Sequence, residues 1–367
     1  MNRLLNQALI RLSWLIGIAL ACNTLTGGLP SPTPLLAGTP PQLPLPTLGP
    51  SATAFPLATP IPATSSPRPS RTPTGALLPT AIIPLPTFTP WLDNPPLGRI
   101  VFVCFIDGFD NLCLMNADGS NVQRLTFTAA TDFYPCLSPD GQQIAFSSRR
   151  DNNFEIYVMN TDGGDPRRLT QNAGSNFAPE FSPDGSRIVF VSARGGAQNI
   201  WVMNTDGTHL TQITDTTGDN IDPSWSPDGR QIAFASNRGG TNELYVMPAP
   251  GPAAQVNADG SNVQPVTFDL NIGGRNDWSP DGQRLTFYAG PENQRNIFVI
   301  NADGTGLTQI TDVSDNRGPT FSPDGNWIAF ASFRDRNNEI YIAHPDGTGL
   351  TRLTSDRRPD WQPRWGP

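Results

Sequence analysis

The sequence predicts an all-β fold, a six-bladed β-propeller in which four-stranded antiparallel sheets stand radially round one axis. Three observations predict it. The tetrapeptide Ser-Pro-Asp-Gly recurs at Ser138, Ser182, Ser226, Ser279 and Ser322, at spacings of 44, 44, 53 and 43 residues, a period expected of propeller blades. A second landmark, Asn-x-Asp-Gly, runs in step at Asn116, Asn160, Asn204, Asn257 and Asn301, with His344 replacing Asn in a sixth copy. The two ends of this region each hold part of a copy. Residues 100–103 read as a second strand lacking a first, and residues 358–363 as a first strand lacking a second. Five whole copies and one shared copy make six, and pairing the ends removes exposed sheet edges. The one long spacing is accounted for by residues 248–256, which interrupt the approach to Asn257.

Within a copy four strands follow in order. The first ends on a large apolar residue before Ser-Pro-Asp-Gly: Leu137, Phe181, Trp225, Trp278 or Phe321. The second alternates, with Ile144 and Phe146, Ile188 and Phe190, Ile232 and Phe234, Leu285 and Phe287, and Ile328 and Phe330 on one face, the two-residue period of a strand. The third is apolar on both faces, as in Ile200-Trp201-Val202-Met203, so its sheet must be covered on both sides. The fourth, such as Arg168-Leu169-Thr170 or Arg352-Leu353-Thr354, is short and polar, which keeps an outer edge from pairing with other chains. Asp-Gly punctuates these strands because a tight turn needs a residue at positive φ, which glycine accepts, while the aspartate takes hydrogen bonds from the turn amides. These turns read as architecture, since a lone Asp-x-Gly does not gather the several oxygen donors of a calcium loop.

The copies of aromatic-Ser-Pro-Asp-Gly-x-x-Ile-Ala-Phe-x-Ser, followed by Glu-Ile-Tyr-Val-Met-Asn-x-Asp-Gly and Leu-Thr, resemble the WD40-like PD40 repeats of TolB-type β-propellers across residues 98–365. The resemblance implies a propeller exported from a bacterial cytoplasm and acting by protein contact. TolB carries an α/β domain ahead of its propeller, where this chain has a proline-rich stretch, so a role in the Tol-Pal system does not carry over.

Ahead of the propeller, assigned to residues 97–367, two segments are expected. Residues 1–21 read as an export signal: Arg3 and Arg11, an apolar run over 12–21, and small residues before Cys22. That run is shorter than the roughly 20 apolar residues a spanning helix needs. Two outcomes stay open. Ala19-Leu20-Ala21 fits ordinary cleavage and secretion, whereas Ala19-Leu20-Ala21-Cys22 resembles the bacterial lipoprotein box, with Ala19 where Leu is usual, and would make Cys22 a lipid anchor in the membrane. Residues 22–96 take a large share of the chain's 39 prolines; each lacks an amide donor and restrains its neighbour, so the segment reads as a disordered tether. Extended at about 3.1 Å per residue, it would hold a domain on the order of 200 Å from its anchor. The tether favours lipidation.

The net charge is −8, and the signal would take two arginines with it. Nucleic acid is therefore not an expected partner. All 24 basic residues are arginine, which excludes a P-loop lysine and a Schiff-base lysine. There is no Gly-x-Ser-x-Gly elbow for a hydrolase. His209 and His344, the only histidines, fall in equivalent turns three blades apart, too far to share a metal. No cofactor or metal is expected, and the propeller is expected to be monomeric. After Cys22 an odd number of cysteines remains, Cys104, Cys113 and Cys136. A hairpin centred on residues 107–109 would set Cys104 opposite Cys113, either as a disulfide or as two small buried residues.

Running the strands alternately down and up places both kinds of Asp-Gly turn on one rim and the variable connections on the other. The variable rim carries Asp222, Arg275, Arg317 and Arg358, and binding residues favour such loops on a rigid scaffold. Innermost positions Cys136, Glu180, Ser224, Asp277, Thr320 and Asp360 align with one another as a channel lining. Arg149, Arg194, Arg238 and Arg334, with Glu155, Glu243 and Glu339, read as a repeated pair bracing each hairpin. The function this supports is non-catalytic binding of a protein or polymeric ligand at the variable rim and channel. The alternative is a glycan-active enzyme using Glu180, Asp277 or Asp360.

Overall fold

A computed structural model describes residues 95–171, 174–215, 218–250 and 262–367. The proposed signal, Cys22 and nearly all of the proposed tether lie outside them. Among the described residues six four-stranded antiparallel sheets are formed, and each has the spatial order inner, second, third, outer. Blade 1 is composite: Arg99–Ile106, Phe109–Asn116 and Gln123–Arg124 come from the start of the domain, and its inner strand, Asp360–Gly366, from the end. Blades 2 to 6 are each one continuous stretch, with inner strands Asp132–Leu137, Asn176–Phe181, Asn220–Trp225, Asp277–Trp278 and Asn316–Phe321. Among the described residues there is no helix.

The strands that are apolar on both faces explain the arrangement. Among the described residues six hydrophobic clusters occur, each shared between two neighbouring blades: Val189 and Ile200 of blade 3, for example, pack with Trp225, Ile232 and Phe234 of blade 4. Phe102, Met115 and Trp365 of blade 1 pack with Trp327 and Ile340 of blade 6 in the same way. A single sheet is too thin to shield both of its sides, so burial is a property of the ring.

The Ser-Pro-Asp-Gly turns are held by their own side chains. In blade 4 the Ser226 hydroxyl donates to Asp228 Oδ1 at 2.6 Å, the Arg230 amide donates to the same oxygen at 3.0 Å, and the Gln231 amide donates to Ser226 Oγ at 2.9 Å. Gly229 sits at φ +70°, where a Cβ would be strained. These hydrogen bonds hold Asp228 below the usual carboxylate range.

Three sequence expectations are corrected. The first hairpin turns on two residues, Asp107 and Gly108, both at positive φ, so Cys104 faces Asn111 and Cys113 faces Phe102. The cysteines are diagonal neighbours on one face, joined as a disulfide with Cα atoms 5.9 Å apart. The residue equivalent to Arg194 is Arg150, not Arg149: it lies two positions after the strand-end serine, and its Nε donates to Ser148 Oγ at 2.8 Å as Arg194 Nε does to Ser192 Oγ at 2.9 Å. Nor does the hairpin rest on an Arg-Glu pair in blade 6. Arg334 reaches Asn316 Oδ1 and Ser332 Oγ and lies 4.8 Å from the Tyr341 ring centroid, while Glu339 is paired with Arg352 at 2.8 Å.

Candidate functional site

Every inner strand carries a register shift or break midway, and at that point one residue has positive φ: Tyr134, Ala178, Asp222, Arg275, Gly318 and Gln362 in blades 2 to 6 and then 1. Five of the six are not glycine. Such a conformation costs a side-chain-bearing residue on the order of 1 kcal/mol or more, and it concentrates at functional sites. In this protein it sets two levels of side chains against the axis.

The deeper level holds Cys136, Glu180, Ser224, Asp277, Thr320 and, from the closing strand, Arg364. Asp360 does not belong to it. Asp360 pairs with Cys104 at the far end of the strand, whereas Arg364 pairs with Val101 as Cys136 pairs with Ala145. The sequence offers two Pro-x-Trp triplets, residues 359–361 and 363–365; the second is the counterpart of Pro179-Glu180-Phe181. The positive-φ residue before Pro363, Gln362, matches Ala178 before Pro179, and that backbone signal is absent from the letters.

Arg364 spans the axis. Its guanidinium pairs with Glu180 of blade 3 and lies 3.4 Å from Asp277 of blade 5, each two blades away, a reach open only to a side chain at the centre. It also donates to the carbonyl of Asn276 at 3.3 Å. The carboxylates are tied on their other sides. Glu180 Oε1 accepts the Trp225 amide at 2.9 Å, and Asp277 Oδ2 accepts the Thr320 hydroxyl and the Phe321 amide, both at 2.8 Å. Ser224 donates to Asn276 Oδ1. Burial pushes Asp277 up to about 6, against the hydrogen bonds from Thr320 and Phe321, so it is mainly ionised at neutral pH. Burial also raises the Cys136 thiol and lowers Arg364, with Cys136 opposing the latter. Arg364, Glu180 and Cys136 are all buried. The axis is filled here by a buried ion network, in which Glu180 Oε2 has the Arg364 ion pair and no hydrogen-bond partner.

Above it, toward the variable rim, the second level is half-buried. The Arg275 guanidinium lies 5.3 Å from the ring centroid of Tyr134, which belongs to the opposite blade, and donates to the Pro363 carbonyl at 3.4 Å. Gln362 Oε1 accepts the Tyr134 amide at 2.9 Å. Asp222 is raised by burial, with Arg275 opposing. Tyr134 leads into an aromatic group: its ring centroid is 6.1 Å from Phe177 and 6.3 Å from Phe133, which stacks at 6.1 Å on Phe154. Farther out, Arg317 and Arg358 are exposed, beside Asp315 at 2.5 Å and Asp356 at 2.9 Å. Exposed apolar residues on this rim, Phe109, Phe127, Phe268, Val313 and Phe333, occur from the blade 4–5 junction round to the blade 1–2 junction. Phe127 and Phe268 are 72% and 70% exposed.

The repeat family decides what this ring is. The model of the TolB β-propeller domain matches residues 169–276 and 268–367, together more than half of the chain. The chain belongs to the TolB β-propeller family. The model of the tricorn protease N-terminal β-propeller domain matches residues 98–199 of this TolB-type propeller. Among solved structures, TolB from Acinetobacter baumannii is similar at 24% identity and a TM-score of 0.65, over 74% of this chain and 67% of that one. A protein solved as a TolB from Agrobacterium tumefaciens is similar at 19% identity and a TM-score of 0.58, over 74% and 99%. A chain of the nidogen/laminin complex follows at 11% identity and a TM-score of 0.57, over 72% and 97%. At these identities the likeness is one of fold. No curated protein matches the sequence.

Among the described residues no group of three or more His, Cys, Asp or Glu side chains is placed to hold a metal ion. The TolB-type ring brings five of the six expected lining residues to the axis and Asp222 and Arg275 to its mouth. It leaves Arg317 and Arg358 on the outer rim and moves Asp360 to the joint between blades 6 and 1.

Proposed function

We propose that this chain is a non-catalytic binding propeller, exported and held at the membrane through a lipid on Cys22, that docks a protein on its variable rim and channel mouth. The observation that carries the reading is the contrast between the two levels at the axis. The deep level is closed in, its two carboxylates sharing the one Arg364 guanidinium. The surface above it offers half-buried aromatic rings, strained backbone, and exposed Phe, Val and Arg side chains. Aromatic and arginine side chains are the types that anchor protein interfaces. The alternative, a glycan-active enzyme, is weaker than it was on sequence grounds. Asp360 is not at the axis, and Glu180 and Asp277 are both paired with Arg364.

The test is capture of partners from an extract of the source cells by the full chain, set against the double variant Arg317→Glu, Arg358→Glu. Arg358 gives up an exposed pair with Asp356 worth up to about 1 kcal/mol, whereas Arg317 leaves the buried Asp315, so the variant is first shown to fold by its melting and its capture should then fall. Undiminished capture by the variant would rule out this rim. Turnover of a glycan abolished by Asp277→Asn would favour the enzyme instead. Replacing Cys22 by Ser should release the chain from membranes, and retention there would refute the lipid anchor.

A further inference from the structure

At the junctions between blades, polar side chains at the start of the third strand meet the beginning of the next blade. Between blades 2 and 3, Asn176 Nδ2 donates to Glu155 Oε2 at 2.7 Å. Between blades 3 and 4, Asn220 Nδ2 donates to Asn199 Oδ1 at 3.1 Å, and between blades 5 and 6, Asn316 Nδ2 donates to Asn296 Oδ1 at 3.3 Å. Between blades 4 and 5, Glu243 Oε1 accepts the amides of Leu270 and Asn271 at 3.0 and 3.2 Å. All four joints match an acceptor with a permanent N–H donor.

The composite blade differs on both flanks. Toward blade 6, the residue facing Glu339 is Asp360, so two carboxylates meet with the Thr354 hydroxyl between them. That hydroxyl donates to Glu339 Oε2 at 2.8 Å and also hydrogen bonds with Asp360. Arg352 lies 2.8 Å from Glu339 Oε1, and Asp356 and Arg358 add opposing charges near Asp360. Toward blade 2, Asp132 stands opposite Ser148, the place that asparagine takes opposite Ser192, Ser236 and Ser332 at the other joints. Asp132 Oδ1 is 3.3 Å from Arg150, but Asp132 Oδ2 is buried with no hydrogen-bond partner. A buried acceptor without a donor is costly.

We propose that the joint between blades 6 and 1 is a proton-dependent clasp: a proton held among Asp360, Glu339 and the Thr354 hydroxyl supplies the donor that amides supply elsewhere and keeps the ring shut. The titration agrees with this arrangement. Burial first, and then the carboxylates of Asp356 and Glu339, push Asp360 up to about 7, against the Thr354 hydrogen bond and Arg358. The group is raised, so the folded ring binds this proton more tightly than the unfolded chain. Its contribution is complete below the ordinary carboxylate range and is lost as pH climbs through about 7. The turn aspartates, such as Asp140, Asp184 and Asp228, are lowered instead, so their linkage acts in more acidic solution. Asp277, Asp222 and Asp132 are raised by burial as well, so the assignment rests on the difference between wild type and variant.

The experiment is hydrogen exchange and thermal unfolding of the full chain at about pH 5 and about pH 8, in wild type and Asp360→Asn. Asparagine imitates the protonated acid and is what three other junctions already use. After correction for intrinsic rates, amides of the closing strand Asp360–Gly366 should exchange about tenfold or more faster at the higher pH, one pKa unit being a factor of ten. Those of Asn220–Trp225 in blade 4 should change less. In Asp360→Asn the acceleration should shrink, and its melting temperature should exceed that of wild type only at the higher pH. Parallel pH profiles for wild type and Asp360→Asn would overturn the clasp. So would equal acceleration of the two strands in wild type, a result that does not depend on the variant folding.

Discussion

Blade 4 and blade 1 share one topology and are held together by different means. In blade 4 the inner and second strands are joined by the turn of Ser226, Asp228 and Gly229, which fixes their register locally. In blade 1 the same two strands come from opposite ends of the domain. Their register, from Arg99 against Gly366 to Cys104 against Asp360, has no turn to set it. Instead, Trp365 Nε1 donates to the Leu97 carbonyl at 2.8 Å and the Phe105 amide to the Pro359 carbonyl at 3.2 Å. Arg364 grips blades 3 and 5, and a disulfide locks the adjoining hairpin. Where chain continuity is missing, contacts between residues distant in sequence take over its role. The loop-closure entropy they must overcome is larger than that of a hairpin.

The largest break in this comparison comes from removing residues 359–367. Blade 1 then loses its inner strand, Trp365 leaves its cluster with Trp327 and Ile340, and the ring is left with unpaired edges. The expected outcome is loss of the single cooperative transition, read by calorimetry, and an unchanged melting temperature would contradict closure. Arg364→Met comes next. It strands Glu180 and Asp277 as buried carboxylates without their cation, and such a loss costs about 3–5 kcal/mol, to be measured by urea unfolding. A loss below about 1 kcal/mol, the size typical of exposed pairs, would mean that the deep level is wetter than its burial indicates. Reduction of the Cys104–Cys113 bond should have the smallest effect. The bond closes a separation of nine residues, and chain-entropy reasoning gives about 2–3 kcal/mol for so short a loop. Reduction without any change in unfolding midpoint would show that the closing strand, and not the hairpin, limits the stability of blade 1.

Much of the propeller was legible because its determinants are local and repeated. Ile232 and Phe234 announce a strand, Ser226 with Asp228 a turn, and the count of copies the number of blades. The candidate site was legible only where the repeat was regular. Glu180, Ser224 and Thr320 follow Pro179, Pro223 and Pro319 and lie on inner strands. In the closing strand two Pro-x-Trp triplets compete, and pattern alone selected Asp360 over Arg364. The offset between Arg149 and Arg150 has the same origin: one extra arginine cannot be assigned without knowing which serine ends the strand.

By itself the sequence determined the strands, the turns, the six-fold count and the joining of the two ends, because alternation and Asp-Gly chemistry act over a few residues. Only the tertiary structure decided which side chains meet at the axis and at the junctions. Arg364 lies far in sequence from Glu180 and Asp277, and Asp360 meets Glu339 only when the ring is closed. Such meetings depend on the register of a strand pairing that no turn enforces, and a shift of a few residues in that pairing exchanges one set of partners for another.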